Sequence, residues 1–539
     1  MNFSIRFALS KNIRMKVVSL LRNREVILRG LGIFLLCLLY VFLYKLLIPR
    51  INAFGCMDDC NNFMGGYFLL QGKQLFSQIF FNHAPFMAHM SAFILYATRP
   101  ENLHELILRH RQFILLFGLV SEILLILRFG IVGLPFALLY ETTKFYLAGD
   151  RFLGEGLIVY PFVYLLGLLF IKLQKQKLFS FDYILASLCV WFVIFTREPY
   201  SIAILFMFFI FLWRKGKGRI KLFSVGLLIV LSCITIFSYN LSELVYNMVT
   251  VNATTLAAEN ADSGVLGVNM YKVFLYPFII FFQGEWNFVR YVEMGLSAVF
   301  LFTNGVFVWK KQCKWLLFLW IILGLSNFRL VRPGHEFYGA FHLLPWYSMT
   351  IFATCLMLAT IWKWNKVLFA LGFAGFGGIV LFPFVSKGSY VHDNIDQQTE
   401  FITNYGNYLQ VGNVVNSLSQ KNNTVFVDGF DDAIYLVAKR YSPYEYSWYT
   451  SLMPLYKKYT DARKNMFAKN PPDFYYGNCP GQKNPVFLLP DFVKGEYAEL
   501  FNLDKPSCLW VKKSKLAEIT DSQWQKAGEN LYYESPTNR

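Results

Sequence analysis

Long apolar runs separated by short loops fill the first 385 residues of the chain. The first run, Leu31 to Ile48, has the length that an α-helix needs to cross the hydrocarbon core of a bilayer. Similar runs recur as far as residue 385, and we predict about eleven crossings in all. The other predicted crossings are residues 113–128, 130–147, 155–171, 181–195, 200–213, 221–238, 292–309, 315–328, 337–361 and 366–385.

Composition agrees with a membrane protein, because 55% of the residues are hydrophobic and 19% are aromatic. The net charge of +17 belongs to the apolar part alone, since residues 386–539 contain 17 basic and 17 acidic side chains. Basic residues gather before the first run and in the short loops 172–177, 214–221 and 310–314. This distribution is typical of loops on the cytoplasmic side, so we do not expect a nucleic-acid partner.

The charge pattern also predicts the orientation of the chain. With the basic N-terminus in the cytoplasm, the first crossing carries residues 49–111 to the outer face, and an odd number of crossings leaves the C-terminus there too. A further apolar stretch, Val268 to Gly284, would place the basic loop 310–314 outside if it crossed, so we interpret it as interfacial or re-entrant. We predict a multi-pass protein of the plasma or inner membrane.

Two segments are predicted to lie outside the membrane. In the first outer loop, 49–111, residues 63–70 and 84–96 have apolar positions at helical spacing, which predicts amphipathic helices on the membrane surface. After Ser386 the runs become short and β-rich, at 424–428, 485–489 and 508–511, with a helix expected near Asp431. The predicted fold is therefore an α-helical multi-pass domain, 1–385, followed by a small extracytoplasmic α/β domain, 386–539.

Two adjacent carboxylates, Asp58 and Asp59, follow soon after the first predicted crossing. An ionised group at a membrane interface needs a functional or a pairing reason. A short predicted helix comes next and ends in Gln71-Gly-Lys73, and the segment Asn82-His83-Ala-Pro85 then opens a second helix. The order of these parts is more specific than any one of them.

This order resembles the first outer loop of the GT-C superfamily of integral membrane glycosyltransferases, which holds the protein O-mannosyltransferases and the lipid A aminoarabinose transferases. Further segments resemble the same family in the same order along the chain. They are residues 146–155, 196–199, 332–338 with 342–345, and, in the tail, 425–430 and 470–474. The resemblance implies a GT-C-like membrane domain with a tail domain of the bacterial type.

The resemblance implies a hexosyl- or pentosyltransferase that moves a sugar from a polyprenyl-phosphate carrier to a lipid, polysaccharide or protein acceptor of the cell envelope. A carboxylate would remove the proton from the acceptor hydroxyl, and fixed cations would stabilise the departing lipid phosphate. Direct displacement would invert the sugar carbon, whereas retention would need a carboxylate nucleophile such as Glu155.

The same resemblance implies roles for particular residues of this chain. Asp58 is the expected base, and Asp59 and Glu155 are further catalytic candidates. The expected contacts to the donor phosphate are Arg197, Arg332 and His335, and the expected pocket residues are His83 and Tyr338.

Other interpretations of these residues stay open. Asp59 can instead cap the following helix, because aspartate is a favoured N-cap residue. An arginine near a span end, such as Arg197, can reach the interface without any catalytic role. Cys56 and Cys60 lie on either side of the acid pair, and they can form a disulfide, bind a metal or stay independent thiols. Whether Cys479 pairs with Cys508 is also open. We assign no cofactor and no metal ligands, and a divalent cation stays possible.

Two other functions compete with the enzyme. A transporter or flippase of lipid-linked glycans would also be a basic multi-pass protein, but it should bury charge near the middle of the membrane. A non-enzymatic scaffold would leave the polar residues of the outer face unexplained. The enzyme hypothesis predicts that Asp58, Glu155, Arg197 and Arg332 line one pocket.

Overall fold

The fold is that of a computed structural model. It describes residues 11–53, 55–56, 58–213, 218–254, 270–282, 287–327, 340–387, 389, 391–429, 432–450, 452–477, 479, 487–502 and 505–531. The α-helices before the tail are Lys11–Leu47 (α1), Asp58–Leu70 (α2), Phe86–Thr98 (α3), Leu103–Phe129 (α4), Gly133–Thr143 (α5), Gly154–Leu173 (α6), Ser180–Thr196 (α7), Ser201–Leu212 (α8), Gly218–Phe237 (α9), Leu241–Val245 (α10), Met270–Ile279 (α11), Phe288–Trp309 (α12), Cys313–Ser326 (α13), Leu344–Trp364 (α14) and Lys366–Val385 (α15). Short 3-10 turns, among them Lys144–Leu147, Glu198–Tyr200 and Ala340–Leu343, join several of them.

Seven of the described helical segments are long and apolar enough to cross a membrane. They are Arg24–Arg50, Leu103–Leu147, Gly154–Leu173, Gly218–Phe237, Phe288–Trp309, Phe341–Trp364 and Lys366–Val385. The chain is therefore a helical membrane protein, as the apolar pattern predicts. Shorter apolar helices are present at Phe86–Thr98, Ser180–Thr196, Glu198–Leu212 and Cys313–Ser326, so the count of eleven crossings stays a prediction. The same holds for the re-entrant path of Val268 to Gly284, of which the structure describes α11 and the three residues after it.

Two helices form the centre of the bundle. In the most apolar windows of the segments that contain α6 and α14, 94% and 89% of the residues are buried. The corresponding figures for α9 and α15 are 17% and 22%, so those helices leave most of their apolar surface on the outside of the bundle. Such an outer surface suits contact with lipid, because a membrane helix gains nothing by hiding apolar side chains from hydrocarbon.

Helices α2 and α3 confirm the two helices predicted in the first loop, but α2 does not lie on a surface. It packs closely against α3, where a Cβ atom on Gly66 would come within 2.5 Å of the Ser91 hydroxyl. On another side the ring of Phe68 packs against Trp448 of the tail, with centroids 5.4 Å apart. Apolar spacing identifies a buried face, and it does not say whether lipid or protein covers that face.

The tail folds into a small four-stranded sheet with helices. The strands are Val425–Val427 (β1), Phe474–Tyr476 (β2), Tyr497–Asn502 (β3) and Lys505–Lys512 (β4), in the order β1-β2-β4-β3. Strands β1 and β2 are parallel, whereas β4 pairs with both neighbours in antiparallel fashion. The tail helices are Gln397–Leu418 (α16), Ile434–Ala438 (α17), Lys457–Lys469 (α18), Asp491–Lys494 (α19), Lys513–Leu516 (α20) and Asp521–Leu531 (α21).

Direct contacts hold the first loop against the tail. Asn404 of α16 donates a hydrogen bond to the carbonyl of Asn52 at 2.7 Å, and Arg50 pairs with Asp393 at 3.1 Å. Tyr67 of α2 donates to the carbonyl of Tyr435 at 3.3 Å. The first loop and the tail therefore lie at the same end of the helical bundle.

Candidate functional site

A small cleft opens where α6 begins, α7 ends and the segment containing α14 begins. Because three apolar helices begin or end here, the cleft lies at one end of the bundle. Its lining combines charged, polar and apolar side chains from five parts of the chain. These are Asp58, Asn62, His83, Met87, Leu153, Gly154, Glu155, Thr196, Arg197 and Phe341.

Local structure explains how distant residues reach this cleft. Asp58 begins α2, and Asn62 lies four residues later on the same helical face. Glu155 is in the first turn of α6, and Arg197 directly follows α7 with extended backbone, φ −151°. A Cβ atom on Gly154 would lie 3.1 Å from the carbonyl of Thr196, so glycine lets the start of α6 approach the end of α7.

Glu155 is the centre of a group of charged and polar side chains in the cleft. Its Oε1 atom accepts a hydrogen bond from Arg197 Nε at 2.7 Å and lies 2.8 Å from His342 Nδ1. Glu155 is 1% exposed, so its carboxylate is shielded from solvent and needs such partners.

Arg197 connects this carboxylate to the first loop. Its Nη1 donates to His83 Nδ1 at 2.7 Å. Burial lowers the pKa of the Arg197 guanidinium, but the carboxylates of Glu155 and Glu198 raise it by more, and it stays above its usual value. We call Glu155, Arg197, His83 and His342 the cleft cluster.

Asp58 and Asp59 have different surroundings although they are adjacent. Asp58 is half-buried and lines the cleft, whereas Asp59 is 1% exposed and is not among the lining residues. Asp59 interacts electrostatically with Tyr405 of α16. Burial raises the pKa of Tyr405 to about 12, and the negative charge of Asp59 contributes a smaller part of this increase. Asp59 is therefore close enough to the tail to interact electrostatically with Tyr405, a position that suits a structural role.

The structure thus brings four of the predicted site residues, Asp58, His83, Glu155 and Arg197, into one cleft. Of the other four, Asp59 does not line the cleft, and Arg332, His335 and Tyr338 lie outside the described residues.

Three polar residues in or beside the cleft, Asn62, Thr196 and His342, were not among the predicted site residues. Asn62 follows Asp58 by one helical turn, and that spacing is the signal that could have identified it. Thr196 directly precedes Arg197, and His342 belongs to the same sequence segment as the predicted Tyr338. Their side chains become informative only when the fold shows which of them reach the cleft.

A second group of ionisable residues lies inside the bundle. Lys144 Nζ is 2.5 Å from Glu141 Oε2, and the hydroxyl of Tyr160 donates to Glu141 Oε1 at 2.8 Å. Glu122 of α4 is also fully buried, as its sequence position predicts, and interacts electrostatically with Glu141 and Lys144. We call Glu122, Glu141, Lys144 and Tyr160 the buried cluster.

Four cysteines form disulfides, Cys56 with Cys60 and Cys479 with Cys508. The first disulfide spans the acid pair, and its sulfur atoms offer no thiolate to a metal. In the part of the chain that the structure describes, no three His, Cys, Asp or Glu side chains come together in a way that could hold a metal ion. Asp428 of the tail forms an ion pair with Arg463.

Comparison of the chain with known proteins identifies no relative. No protein-family model matches the chain, and no curated protein or solved structure matches it. The likeness to the GT-C superfamily therefore depends on the order of the sequence motifs.

Proposed function

We propose that this protein is a membrane glycosyltransferase that moves a sugar from a polyprenyl-phosphate donor to an acceptor outside the cytoplasm. The observation that carries the proposal is the cleft itself, in which Asp58, Arg197 and His83 meet at one end of an apolar helical bundle. A lipid-linked donor presents its reacting carbon at this level of the membrane. Supporting evidence also comes from the motif order that resembles the GT-C superfamily.

Asp58 is the proposed base. It is half-buried at the edge of the cleft, where a carboxylate can take the proton of an acceptor hydroxyl as that hydroxyl attacks the sugar. The departing lipid phosphate gains negative charge, which a fixed guanidinium stabilises. Arg197 suits this role because its Nε and Nη1 groups are held by Glu155 and His83, while its Nη2 group has no hydrogen bond to a described residue.

Glu155 has a positioning role in this proposal. Its carboxylate accepts a hydrogen bond from Arg197, lies within hydrogen-bond distance of His342 and is almost wholly buried. It is therefore poorly arranged to attack a sugar carbon. A direct displacement by the acceptor, with inversion at the sugar carbon, agrees with this arrangement. Arg332 and His335 are proposed as further phosphate contacts, and Tyr338 as a pocket residue.

The proposal includes a location and an orientation. We propose a plasma or inner membrane protein with about eleven crossings, a cytoplasmic N-terminus and a tail outside the cytoplasm, because the short basic loops belong on the cytoplasmic side. The contacts between the first loop and the tail support this orientation, since the motif-bearing loop and the tail must then share one side.

One observation favours a second candidate function. The buried cluster puts ionisable side chains inside the bundle, and such residues often mark transport pathways. A transporter or flippase of lipid-linked glycans is therefore the alternative. It predicts that reconstituted protein moves a lipid-linked glycan across a vesicle membrane without changing the glycan, and that Glu141→Gln abolishes this movement.

The deciding experiment is transfer of radiolabelled sugar from polyprenyl-phosphate donors in membranes that contain the full chain. We expect Asp58→Asn to lower the transfer rate by roughly 10²- to 10⁴-fold, because a carboxamide cannot accept the proton. Asp59→Asn is the matched control and should keep most of the activity, since Asp59 does not line the cleft. A parallel assay with EDTA tests for a divalent cation. Undiminished transfer by Asp58→Asn would contradict the mechanism.

A further inference from the structure

Two buried polar atoms of the cleft lining have no hydrogen-bond partner among the described residues. They are Oδ1 of Asn62 and Oγ1 of Thr196, and the two residues are 3% and 0% exposed. Buried polar atoms are nearly always hydrogen-bonded in folded proteins, because an unpaired one costs free energy. Because Asn62 and Thr196 both line the cleft, a molecule bound there is in a position to supply the missing hydrogen bonds.

The orientation of the Asn62 carboxamide is fixed by its other end. Nδ2 of Asn62 donates to the carbonyl of Phe152 at 2.9 Å, an interaction that only the amino group of the amide can make. The remaining atom is therefore the carbonyl oxygen, which can accept a hydrogen bond and cannot donate one. Because Asn62 follows Asp58 by one helical turn, this acceptor lies beside the proposed base.

Thr196 differs from other buried threonines in helices of this protein. The hydroxyls of Thr142, Thr143, Thr350 and Thr354 each donate to the carbonyl four residues earlier, the usual solution for a threonine within a helix. Thr196 is the last residue of α7 and is equally buried, yet its hydroxyl makes no such bond. Its hydrogen-bonding capacity is left for something in the cleft.

The chemistry of these atoms restricts the occupant. A phosphodiester has acceptor oxygens only, so it suits Arg197 but cannot satisfy the acceptor Oδ1 of Asn62. A sugar hydroxyl donates and accepts, and can satisfy both Asn62 and Thr196. We propose that Asn62 and Thr196 recognise hydroxyl groups of the glycosyl moiety, beside the phosphate contacts of Arg197. This inference rests on the proposed function and adds the part of the donor that these two residues bind.

The test compares two kinds of probe on the detergent-solubilised full chain. Farnesyl phosphate is the probe without a sugar, and its mannosyl, glucosyl and aminoarabinosyl esters are the probes with one. The measured quantity is the preference, defined as the Kd of farnesyl phosphate divided by the Kd of the best glycosylated probe. The variants are Asn62→Leu and Thr196→Val, and Thr350→Val is the matched control because its hydroxyl bonds within its own helix.

We expect each cleft variant to lower the preference by roughly 3- to 10-fold, the value of one neutral hydrogen bond, and to leave the Kd of farnesyl phosphate unchanged. Thr350→Val should keep the wild-type preference. Since valine has nearly the shape of threonine, Thr196→Val tests the inference even if Asn62→Leu misfolds.

Two negative outcomes have different meanings. If the wild type transfers sugar and prefers a glycosylated probe, and both cleft variants keep that preference, then ordered water satisfies the two atoms and this inference alone is overturned. If the wild type binds no glycosylated probe better than farnesyl phosphate and transfers no sugar, the proposed function fails and the inference fails with it.

Discussion

The cleft cluster and the buried cluster both join a carboxylate to a cation, but they differ in what surrounds the pair. The Nε atom of Arg197 is 2.7 Å from Oε1 of Glu155, and both residues line an open cleft. Two polar atoms in the lining of this cleft have no hydrogen-bond partner among the described residues. The Nζ atom of Lys144 is 2.5 Å from Oε2 of Glu141, and both side chains are fully buried. The hydroxyl of Tyr160 accepts a hydrogen bond from Lys144 and donates one to Glu141. A close ion pair alone therefore does not identify a functional site. Unpaired polar atoms do not identify one either, because both carboxylate oxygens of Glu122 in the buried cluster also lack a hydrogen-bond partner among the described residues; the adjoining cleft is what separates the two clusters.

Glycine has a different use in each cluster. At the cleft, Gly154 lets α6 approach α7 so that Glu155 can reach Arg197. At the buried cluster, a Cβ atom on Gly118 would lie 2.4 Å from the Tyr160 hydroxyl and 2.5 Å from the Tyr40 hydroxyl. The glycine of the buried cluster thus makes room for side chains that fill the interior. If the two clusters have different roles, substitutions in them should affect different properties of the protein.

Among the substitutions that compare the two clusters, Arg197→Ala has the largest expected effect, and that effect is on activity. Removing the guanidinium takes a hydrogen-bond donor from Glu155 and His83 and a cation from the leaving phosphate, so we expect transfer to fall by roughly 10²- to 10³-fold. Arg197→Lys keeps the charge but cannot reproduce the forked geometry, and it should recover only part of the rate. Sugar transfer per folded molecule is the measurement. Near-normal activity of Arg197→Ala would make this arginine a structural anchor.

The next effect is on stability, from Glu141→Gln. Breaking a buried ion pair leaves Lys144 charged without its carboxylate, which costs about 3–5 kcal/mol of the free energy of unfolding. We expect a clear drop in Tm in detergent, with sugar transfer per folded molecule retained. Glu518→Gln, in the exposed pair with Lys515, is the control and should change Tm little. Loss of activity at unchanged Tm would assign the buried cluster to function and favour the transporter.

The smallest of these effects is expected from Gly118→Ala. The added methyl group must displace the Tyr160 and Tyr40 hydroxyls, and overpacking of this kind costs about 1–3 kcal/mol. Gly226→Ala is the matched control in α9, because nothing lies within 4 Å of its Cβ position and alanine favours a helix. Thermal unfolding of both variants makes the comparison. Equal Tm values would mean that the interior has more room than the two hydroxyls suggest.

The apolar runs and the acid pair could be read from the sequence because their signals are local. A run of apolar residues predicts a helix whatever its neighbours are, and the structure confirms a helical membrane protein on that basis. The tail was harder, since strand β2 has only three residues and is held by its neighbours β1 and β4. The predicted strand at 485–489 is wrong for its described residues, because Phe487–Leu489 is not in a strand.

The different surroundings of Asp58 and Asp59 depend on distant parts of the chain. Nothing near them in sequence shows that α16 places Tyr405 close to Asp59. The same limit applies to His342, which lies 187 positions from its partner Glu155. Patterns within one element predict that element, whereas a site built from several elements depends on how they pack.

The docking of the tail on the first loop has a consequence for biosynthesis. The loop that carries Asp58 makes hydrogen bonds to residues far along the chain. Arg50 donates to Asp393, 343 positions later, and Lys73 donates to the carbonyl of Tyr444, 371 positions later. At ordinary rates of translation the ribosome needs on the order of 20 to 70 seconds to make the intervening chain. For that time the loop stands at the membrane surface without its covering domain. A nascent chain that stops before the tail leaves α2 without the contacts that Trp448 and Tyr435 make with it.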